Sequence, residues 1–237
     1  MKENIVLDVK DFELLEKNWW FSQLPEIFQK FIQQYSIVRN YQREQAIFRS
    51  GDIFNGIYAV LEGRVCLGYI DIQGNESIAA IVDPIMWFGE ISLVDQQARS
   101  HDAIAVEKCR ILLLPDHAIR TMLSENPQFW FHIAQLTSQK LRYAFLEIIS
   151  MQTQHIQQRL AQRLLFILNG YGNHIEIKKN TIHLSQEQLA LMLKCSRQTI
   201  NQELQLLEQQ DILKISFKKI EILDMQKLHQ IAAPQHS

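Results

Sequence analysis

The sequence predicts an α+β protein with a strand-rich N-terminal half, one long helix and a helical C-terminal half. Three observations support this division. Short β-rich runs separated by turn signals fill residues 37–115. Residues 125–156 then continue without glycine, and with no proline after Pro127. Two segments with helix-capping signals follow within residues 185–209. These features indicate more than one folding unit along the chain.

Charge and composition restrict the class of protein. The formal net charge of −2 hides an asymmetry, because residues 1–150 hold 14 Lys and Arg against 19 Asp and Glu, whereas the remainder hold 10 against 7. Such a difference suggests two domains with different partners. Three scattered cysteines without a C-x-x-C pair fit a cytoplasmic protein and argue against a zinc ribbon or iron–sulfur cluster. The start is not a signal peptide, and no apolar stretch approaches the ~20 residues of a membrane span.

The N-terminal half contains a predicted helix followed by many strands. Apolar residues recur at helical spacing over residues 11–35, where Pro25 suits a first turn. The runs "AIF", "GIYAVLEGRVCLGYI", "SIAAIV", "DAIAVE" and "RILLLP" then alternate with turn signals such as "SGD" at 50–52 and "QGN" at 73–75. Many short strands at this spacing predict a sandwich, barrel or jelly roll.

The long helix at about residues 126–151 carries an apolar stripe. Its members recur every three or four residues: Trp130, Ile133, Thr137, Leu141, Ala144, Ile148 and Met151. A lone helix would expose this stripe to water, so we expect a homodimer with a coiled-coil seam here. A further helix is predicted at about 154–169, ended by "NGYG".

A pair of short helices near the C-terminus has the layout of a helix-turn-helix. Ser185 with Gln188 forms a capping box, and Ser196 offers a second N-cap, which predicts helices at 186–193 and 197–209. The joining turn places Lys194 where glycine is common, so we expect a non-glycine residue at positive φ. In this motif the second helix lies in the major groove of DNA.

The second helix has one apolar and one polar face. Ile200, Leu204 and Leu207 face inward, which leaves a polar set at its start that could read base edges: Ser196, Arg197, Gln198, Asn201 and Gln202. The following "ILKISFKKIEIL" predicts two strands with a basic tip, a wing whose Lys218 and Lys219 would contact phosphates. The alternative is a small helical subdomain with a solvated Gln-rich face.

These pieces together resemble the Crp/Fnr family of bacterial transcription regulators. The resemblance covers nearly the whole chain and is carried by "IFRSGDIFNGIYAVLEGRV" at 47–65, "WFGEISLVDQQARSHDAIAV" at 87–106 and "CSRQTINQELQLLEQQDIL" at 195–213. It implies an effector-sensing β-roll of the double-stranded β-helix type, a dimerisation helix and a winged helix-turn-helix. The corresponding ranges are 1–125, 126–152 and 153–237. It also implies a homodimer on palindromic double-stranded DNA, with RNA polymerase as a further partner.

The second of these segments resembles the family's phosphate-binding cassette. The resemblance implies that Gly89 lets a ligand approach the backbone, Glu90 accepts from a ribose hydroxyl, and Arg99 with Ser100 holds a phosphate. The alternative is that Glu90 and Arg99 simply pair with each other and close the loop.

Several departures leave the effector open. Members that bind cyclic AMP hold the adenine with adjacent hydroxyl residues on the long helix, but here Ala144 and Phe145 stand at those positions. Ile85 and Met86 replace a usual Gly-Asp pair. Cyclic AMP, another small ligand and no ligand all remain alternatives. No cysteine precedes Cys66, which puts aside an Fnr-like cysteine cluster.

Three weaker alternatives rest on single residues or on a fold analogy. His101 could be nominated as a haem ligand and Cys195 as a redox sensor, although each residue type more often serves packing or hydrogen bonding. A metal enzyme of the double-stranded β-helix type would need clustered histidines such as H-x-H. The β-rich region has His101 as its only histidine, so we expect neither a metal site nor catalysis.

The better-known family members carry Glu and Arg at the positions of Gln198 and Gln202, which implies a different operator half-site here.

Overall fold

The N-terminal segment forms one short strand and three helices rather than a single helix. The computed structural model describes residues 5–70, 76–172 and 180–233, and the turn expected at 73–75 lies outside them. The first elements are β1 (Ile5–Val6), α1 (Val9–Leu15), α2 (Trp19–Ser22) and α3 (Glu26–Tyr35). The Asn18 side chain accepts from the Phe21 N–H at 3.0 Å and so starts a new helix. Pro25 is the N-cap residue of α3 rather than a first-turn residue.

Two antiparallel sheets face each other to form the β-roll. Their strands are β2 (Ile37–Tyr41), β3 (Ala46–Phe48), β4 (Gly56–Glu62), β5 (Val65–Ile70), β6 (Glu76–Val82), β7 (Trp87–Phe88), β8 (Asp102–Ala105) and β9 (Cys109–Pro115). One sheet has the order β1-β2-β9-β4-β7 and the other β3-β8-β5-β6. The short helix α4 (Ile91–Asp95) lies between β7 and β8 in the chain. Most residues of β4 and β9 are buried, which places these strands at the centre of the core.

The N-terminal helices cover one face of the larger sheet. Trp20 and Phe21 pack against Trp87 with ring centroids 5.2 and 6.0 Å apart. The Trp20 indole N–H donates to the His132 carbonyl at 2.7 Å and so fixes the start of the long helix against this core.

The long helix α6 (Phe129–Thr153), which follows α5 (Asp116–Glu125), has two differently used halves. Its first half belongs to the β-roll core, where Ile133 is fully buried. The prediction that Ile133 lies on the exposed stripe is therefore wrong. The exposed apolar seam, as we call it below, consists of Leu141, Phe145 and Ile148, which follow one another at heptad spacing and are more than half exposed.

The C-terminal domain is built around a small three-stranded sheet. Its elements are α7 (Ile156–Leu168), β10 (Thr181–Ile182), α8 (Gln186–Leu193), α9 (Arg197–Gln209), β11 (Leu213–Ser216), β12 (Lys219–Ile222) and α10 (Met225–Ala232). The sheet order is β10-β12-β11, with both pairs antiparallel. Helix α8 and helix α9 take the bounds that the sequence predicts, and the whole arrangement is a winged helix-turn-helix.

The C-terminal domain packs directly on the β-roll. Ile78 and Ile81 of β6 join the apolar cluster that forms the core of the helix-turn-helix. The buried Arg163 of α7 donates to the Ala79 carbonyl at 3.0 Å and pairs with Glu147 of α6. One guanidinium therefore ties α7 to both the β-roll and the long helix.

Candidate nucleic-acid interface and ligand cassette

Local hydrogen bonds fix the turn between α8 and α9. The Ser185 hydroxyl accepts from the Gln188 N–H at 3.1 Å, and the Gln188 side chain accepts from the Ser185 N–H at 2.9 Å. This is the capping box expected from the sequence. Lys194 ends α8 with φ of +53°, as predicted for a non-glycine residue in this turn. The Ser196 hydroxyl then accepts from the Thr199 N–H at 3.0 Å and starts α9.

Helix α9 presents its polar face to solvent at its N-terminal end. Ile200, Leu204 and Leu207 are completely buried, as the sequence predicts. Arg197 and Gln202 are exposed on the opposite face, and Arg197 makes no hydrogen bond or ion pair with another described residue. Its five N–H donors are therefore open to a partner.

The remaining predicted DNA-contacting residues of α9 differ in freedom. Gln198 is exposed, like Arg197. Ser196 is exposed as well, but its hydroxyl also serves as the helix cap. Asn201 is half-buried, and its side-chain oxygen accepts from the Gln186 amide at 3.0 Å. This bond joins α8 to α9 and sets the orientation of the Asn201 amide.

The wing ends in a basic and aromatic tip. Strands β11 and β12 pair with Ser216 opposite Lys219, so Phe217 and Lys218 form the turn. Lys218 has φ of +52° and an exposed side chain. Lys219 is half-buried, and its ammonium lies 3.5 Å from the carboxylate of Glu221. Of the two lysines expected to contact phosphate, Lys218 is thus the freer one.

Arg99 of the cassette is directed into the β-roll. Its guanidinium donates to the carbonyls of Gly89 and Gly56, at 2.6 and 2.7 Å, and to the Asn55 side chain at 2.8 Å. It also lies 4.3 Å from the centroid of the Phe48 ring. Only 3% of the residue is exposed, and its hydrogen bonds join the segment that carries Arg99 to two others, at Asn55–Gly56 and at Gly89.

Glu90 pairs with the long helix and not with Arg99. Its carboxylate lies 2.6 Å from the Lys140 ammonium, while its other oxygen is buried without a described partner. The alternative of a Glu90–Arg99 pair is therefore not what the structure contains.

Gly89 has φ of +88°, and a Cβ there would lie 3.1 Å from the Arg99 guanidinium, so glycine suits both the backbone and the close approach. Ser100 is exposed, with its hydroxyl 2.9 Å from His101 Nδ1.

Burial dominates the electrostatics around the cassette. It lowers the pKa of the Arg99 guanidinium and of the His101 imidazole, and it raises the pKa of the Tyr58 phenol. Glu90 raises the pKa of His101 and so opposes the effect of burial, whereas Lys140 lowers it further.

In the turn of the helix-turn-helix, burial raises the pKa of the Cys195 thiol, which disfavours the reactive thiolate.

Several residues of the cassette region were missed by sequence reasoning. Lys140, Asn55 and Phe48 touch Glu90 or Arg99 but belong to no motif. Lys140 has no signal of its own in the sequence, because apolar periodicity does not show which face of α6 turns toward the β-roll. Among the described residues, no cluster of three potential metal ligands occurs, and no helix has the length and apolar character that crossing a membrane requires.

Comparison with known proteins defines the class to which this combination of domains belongs. Residues 38–126 match the family model of the cyclic nucleotide-binding domain, and residues 158–231 match that of the Crp-like helix-turn-helix domain. A Thermus thermophilus protein named "Cyclic AMP receptor protein" is 29% identical over 82% of this chain and 87% of its own length. The "Transcriptional regulator SdrP" of the same organism is 29% identical over 80% of this chain and 95% of its own.

Solved structures agree with these matches. A regulator described as a member of the CRP/FNR family from Thermus thermophilus has a TM-score of 0.63 and 27% identity, covering 82% of this chain and 97% of its own. FixK2 from Bradyrhizobium japonicum, at 19% identity, shares the fold with a TM-score of 0.74 over 85% of this chain and 99% of its own. The protein is thus a transcription regulator with a cyclic nucleotide-binding type β-roll and a winged helix-turn-helix. It belongs to the Crp/Fnr family, whose named members are regulators and generally not enzymes.

Proposed function

We propose that the protein regulates transcription as a homodimer bound to a palindromic operator, with RNA polymerase as a further partner. The observation that carries this proposal is the open polar end of α9, where Arg197, Gln198 and Gln202 project from a helix whose opposite face is buried. In a helix-turn-helix this end enters the major groove. The matched Crp-like domain supports the assignment of DNA as the partner.

Each exposed group of the proposed interface has a suitable chemical partner on DNA. Arg197 can bond to O6 and N7 of guanine through two N–H groups, and the amides of Gln198 and Gln202 can do the same with N6 and N7 of adenine. We assign Asn201, held by Gln186, and the Ser196 hydroxyl to flanking contacts. Lys218 and Lys219 of the wing would contact phosphates, which position the domain without reading sequence.

The proposal also assigns a role to each of three parts of the chain. Residues 1–125 would sense an effector, 126–152 would join two copies, and 153–237 would bind DNA. The exposed apolar seam supports the middle assignment, because three large side chains in water at heptad spacing are the pattern that pairs two helices. A twofold dimer would place two α9 helices in successive major grooves, about 34 Å apart.

Selection from a random DNA library tests the proposal. We expect the wild-type protein to enrich a palindrome whose half-sites lie about one helical turn apart. Arg197→Ala should lose the preference for a single guanine in each half-site. Arg43→Ala, which removes an exposed arginine of the β-roll, is the matched control and should enrich the wild-type site. If Arg197→Ala enriches the same site with the same preference, the proposed contact of Arg197 with a guanine is wrong.

A further inference from the structure

A cavity of about 450 Å³ lies where the β-roll, the long helix and the helix-turn-helix meet. Its volume falls within the range of roughly 300–1,000 Å³ typical of small-molecule sites. The walls come from β6, β7, α6, α7 and α8, and they are largely apolar. Characteristic lining residues are Ala80, Trp87, Ala144, Phe166 and Met192. A molecule in this cavity would touch both domains of the protein at once.

The cassette offers little to a phosphate group. Binding one at Arg99 would require the guanidinium to leave two backbone carbonyls and the Asn55 side chain. The ring of Phe54, 4.8 Å away, joins Phe48 in covering it. Because buried carbonyls without hydrogen bonds are costly, this exchange is unfavourable. The Ala144 side chain, which lines the cavity, also has no group that could bond to a purine.

The charges at the cavity favour an anion. Lys140 and Arg163 line it, but each is already paired, with Glu90 and with Glu147. Lys194 also lines the cavity and forms no ion pair with another described residue. Two of the three lining cations are therefore paired with carboxylates, and the third, Lys194, is exposed and unpaired.

We propose that this cavity is the effector site, and that it takes an apolar organic acid whose carboxylate pairs with Lys194. The apolar body of the acid would lie between Ala80 of β6 and Ala144 of α6, without help from Arg99. This inference rests on the proposed function, since it names the effector class of that regulator. Lys194 forms the turn before α9, so the occupied cavity would bear directly on the position of the DNA-reading helix.

Calorimetry on the full-length protein without DNA tests the inference. The probes are dodecanoate, dodecanol and cyclic AMP. We expect saturable binding of dodecanoate, weaker binding of dodecanol, and no heat from cyclic AMP. Saturable binding of cyclic AMP, or the absence of dodecanoate binding, would overturn the proposal.

Two variants locate the site. Ala80→Trp fills the cavity and should abolish dodecanoate binding, whereas Ala233→Trp, at an exposed position outside the cavity lining, should leave it unchanged. If Ala80→Trp does not fold, Ala79→Trp at an exposed position of the cavity lining on β6 replaces it. Dodecanoate binding that survives a folded cavity-filling variant would place the acid elsewhere and refute the inference.

A charge variant tests the role of Lys194. Asparagine tolerates the positive φ of this position better than most residues, so Lys194→Asn removes the charge with little strain. We expect the affinity for dodecanoate to fall about 2- to 5-fold, the usual effect of losing an exposed ion pair, while dodecanol binding stays the same. Equal loss for acid and alcohol would overturn the assigned pairing. Binding of the acid without operator binding would refute the proposed function alone, and the reverse result would refute this inference alone.

Discussion

Arg99 in the β-roll and Arg197 in the C-terminal domain both stand at positions where the family resemblance implies contact with a phosphate or a base. Arg99 is 3% exposed and donates to three groups of its own chain. Arg197 is exposed and bonds to no other described residue. The arginine of one domain is thus hydrogen-bonded within its own fold, whereas the arginine of the other domain is available to bind a partner. Motif spacing places an arginine, but the groups around it decide whether a ligand can use it.

Within the long helix, too, one apolar residue is buried in the core and another is exposed. Substituting these two residues gives the largest expected difference. Ile133→Lys would bury an ammonium in the β-roll core and should lower the free energy of unfolding by more than about 4 kcal/mol. Leu141→Lys lies on the exposed apolar seam and should keep the fold but yield monomers. Circular dichroism and sedimentation at micromolar concentration separate the two. A folded Ile133→Lys protein, or a wild-type monomer, would contradict this division of α6.

The two arginines give the next largest difference. Arg99→Ala leaves the Gly89 and Gly56 carbonyls without their donor and should cost about 3–5 kcal/mol of stability in denaturant titration. Arg197→Ala should leave stability within about 0.5 kcal/mol, because it is an exposed residue without partners. Its effect should instead be a loss of about 1–3 kcal/mol in operator affinity. Equal stability of the two variants would remove the distinction between the domains.

Much of the C-terminal domain could be predicted because its signals are local. A capping box, a second N-cap and a short turn fix α8 and α9 within a few residues of sequence. The N-terminal helices were harder, since Asn18 and Pro25 break a pattern whose apolar spacing alone suits one helix. Periodicity also could not tell which face of α6 meets its own core and which meets solvent. Both faces are apolar, so the phase depends on contacts such as Trp20 with the His132 carbonyl.

The cassette shows why sites made by distant residues escape sequence reasoning. Gly89, Glu90 and Arg99 could be named from their spacing, but their partners Asn55 and Lys140 are set by the folded sheets and by α6. The contact of Arg163 with Ala79 crosses between domains and has no signal in the sequence. Availability of a side chain is a property of the packed structure.

The glutamines of α9 should give a smaller effect than Arg99, and one that is confined to sequence preference. Gln198→Ala and Gln202→Ala each remove one amide from an exposed position, so the fold should not change. We expect a changed preference at one base pair next to the guanine read by Arg197, at a cost of about 1–3 kcal/mol for the preferred base. Library selection followed by affinity measurement on single-pair variants of the operator checks this. A uniform loss over all sequences would reassign the altered glutamine to a phosphate contact.

The smallest expected effect concerns the two lysines of the wing. One of them is exposed, and the other already lies near a carboxylate. Lys218 is exposed at the tip, whereas Lys219 is half-buried near Glu221. A phosphate contact releases a counterion, so Lys218→Ala should weaken binding to all sequences alike and reduce the slope of log affinity against log salt by about one. Lys219→Ala should change the slope less, because its ammonium is partly neutralised already. Affinities measured over a salt series with the selected operator and a scrambled duplex decide between them. If Lys218→Ala altered the operator and left the scrambled duplex unaffected, the wing would read bases instead of phosphates.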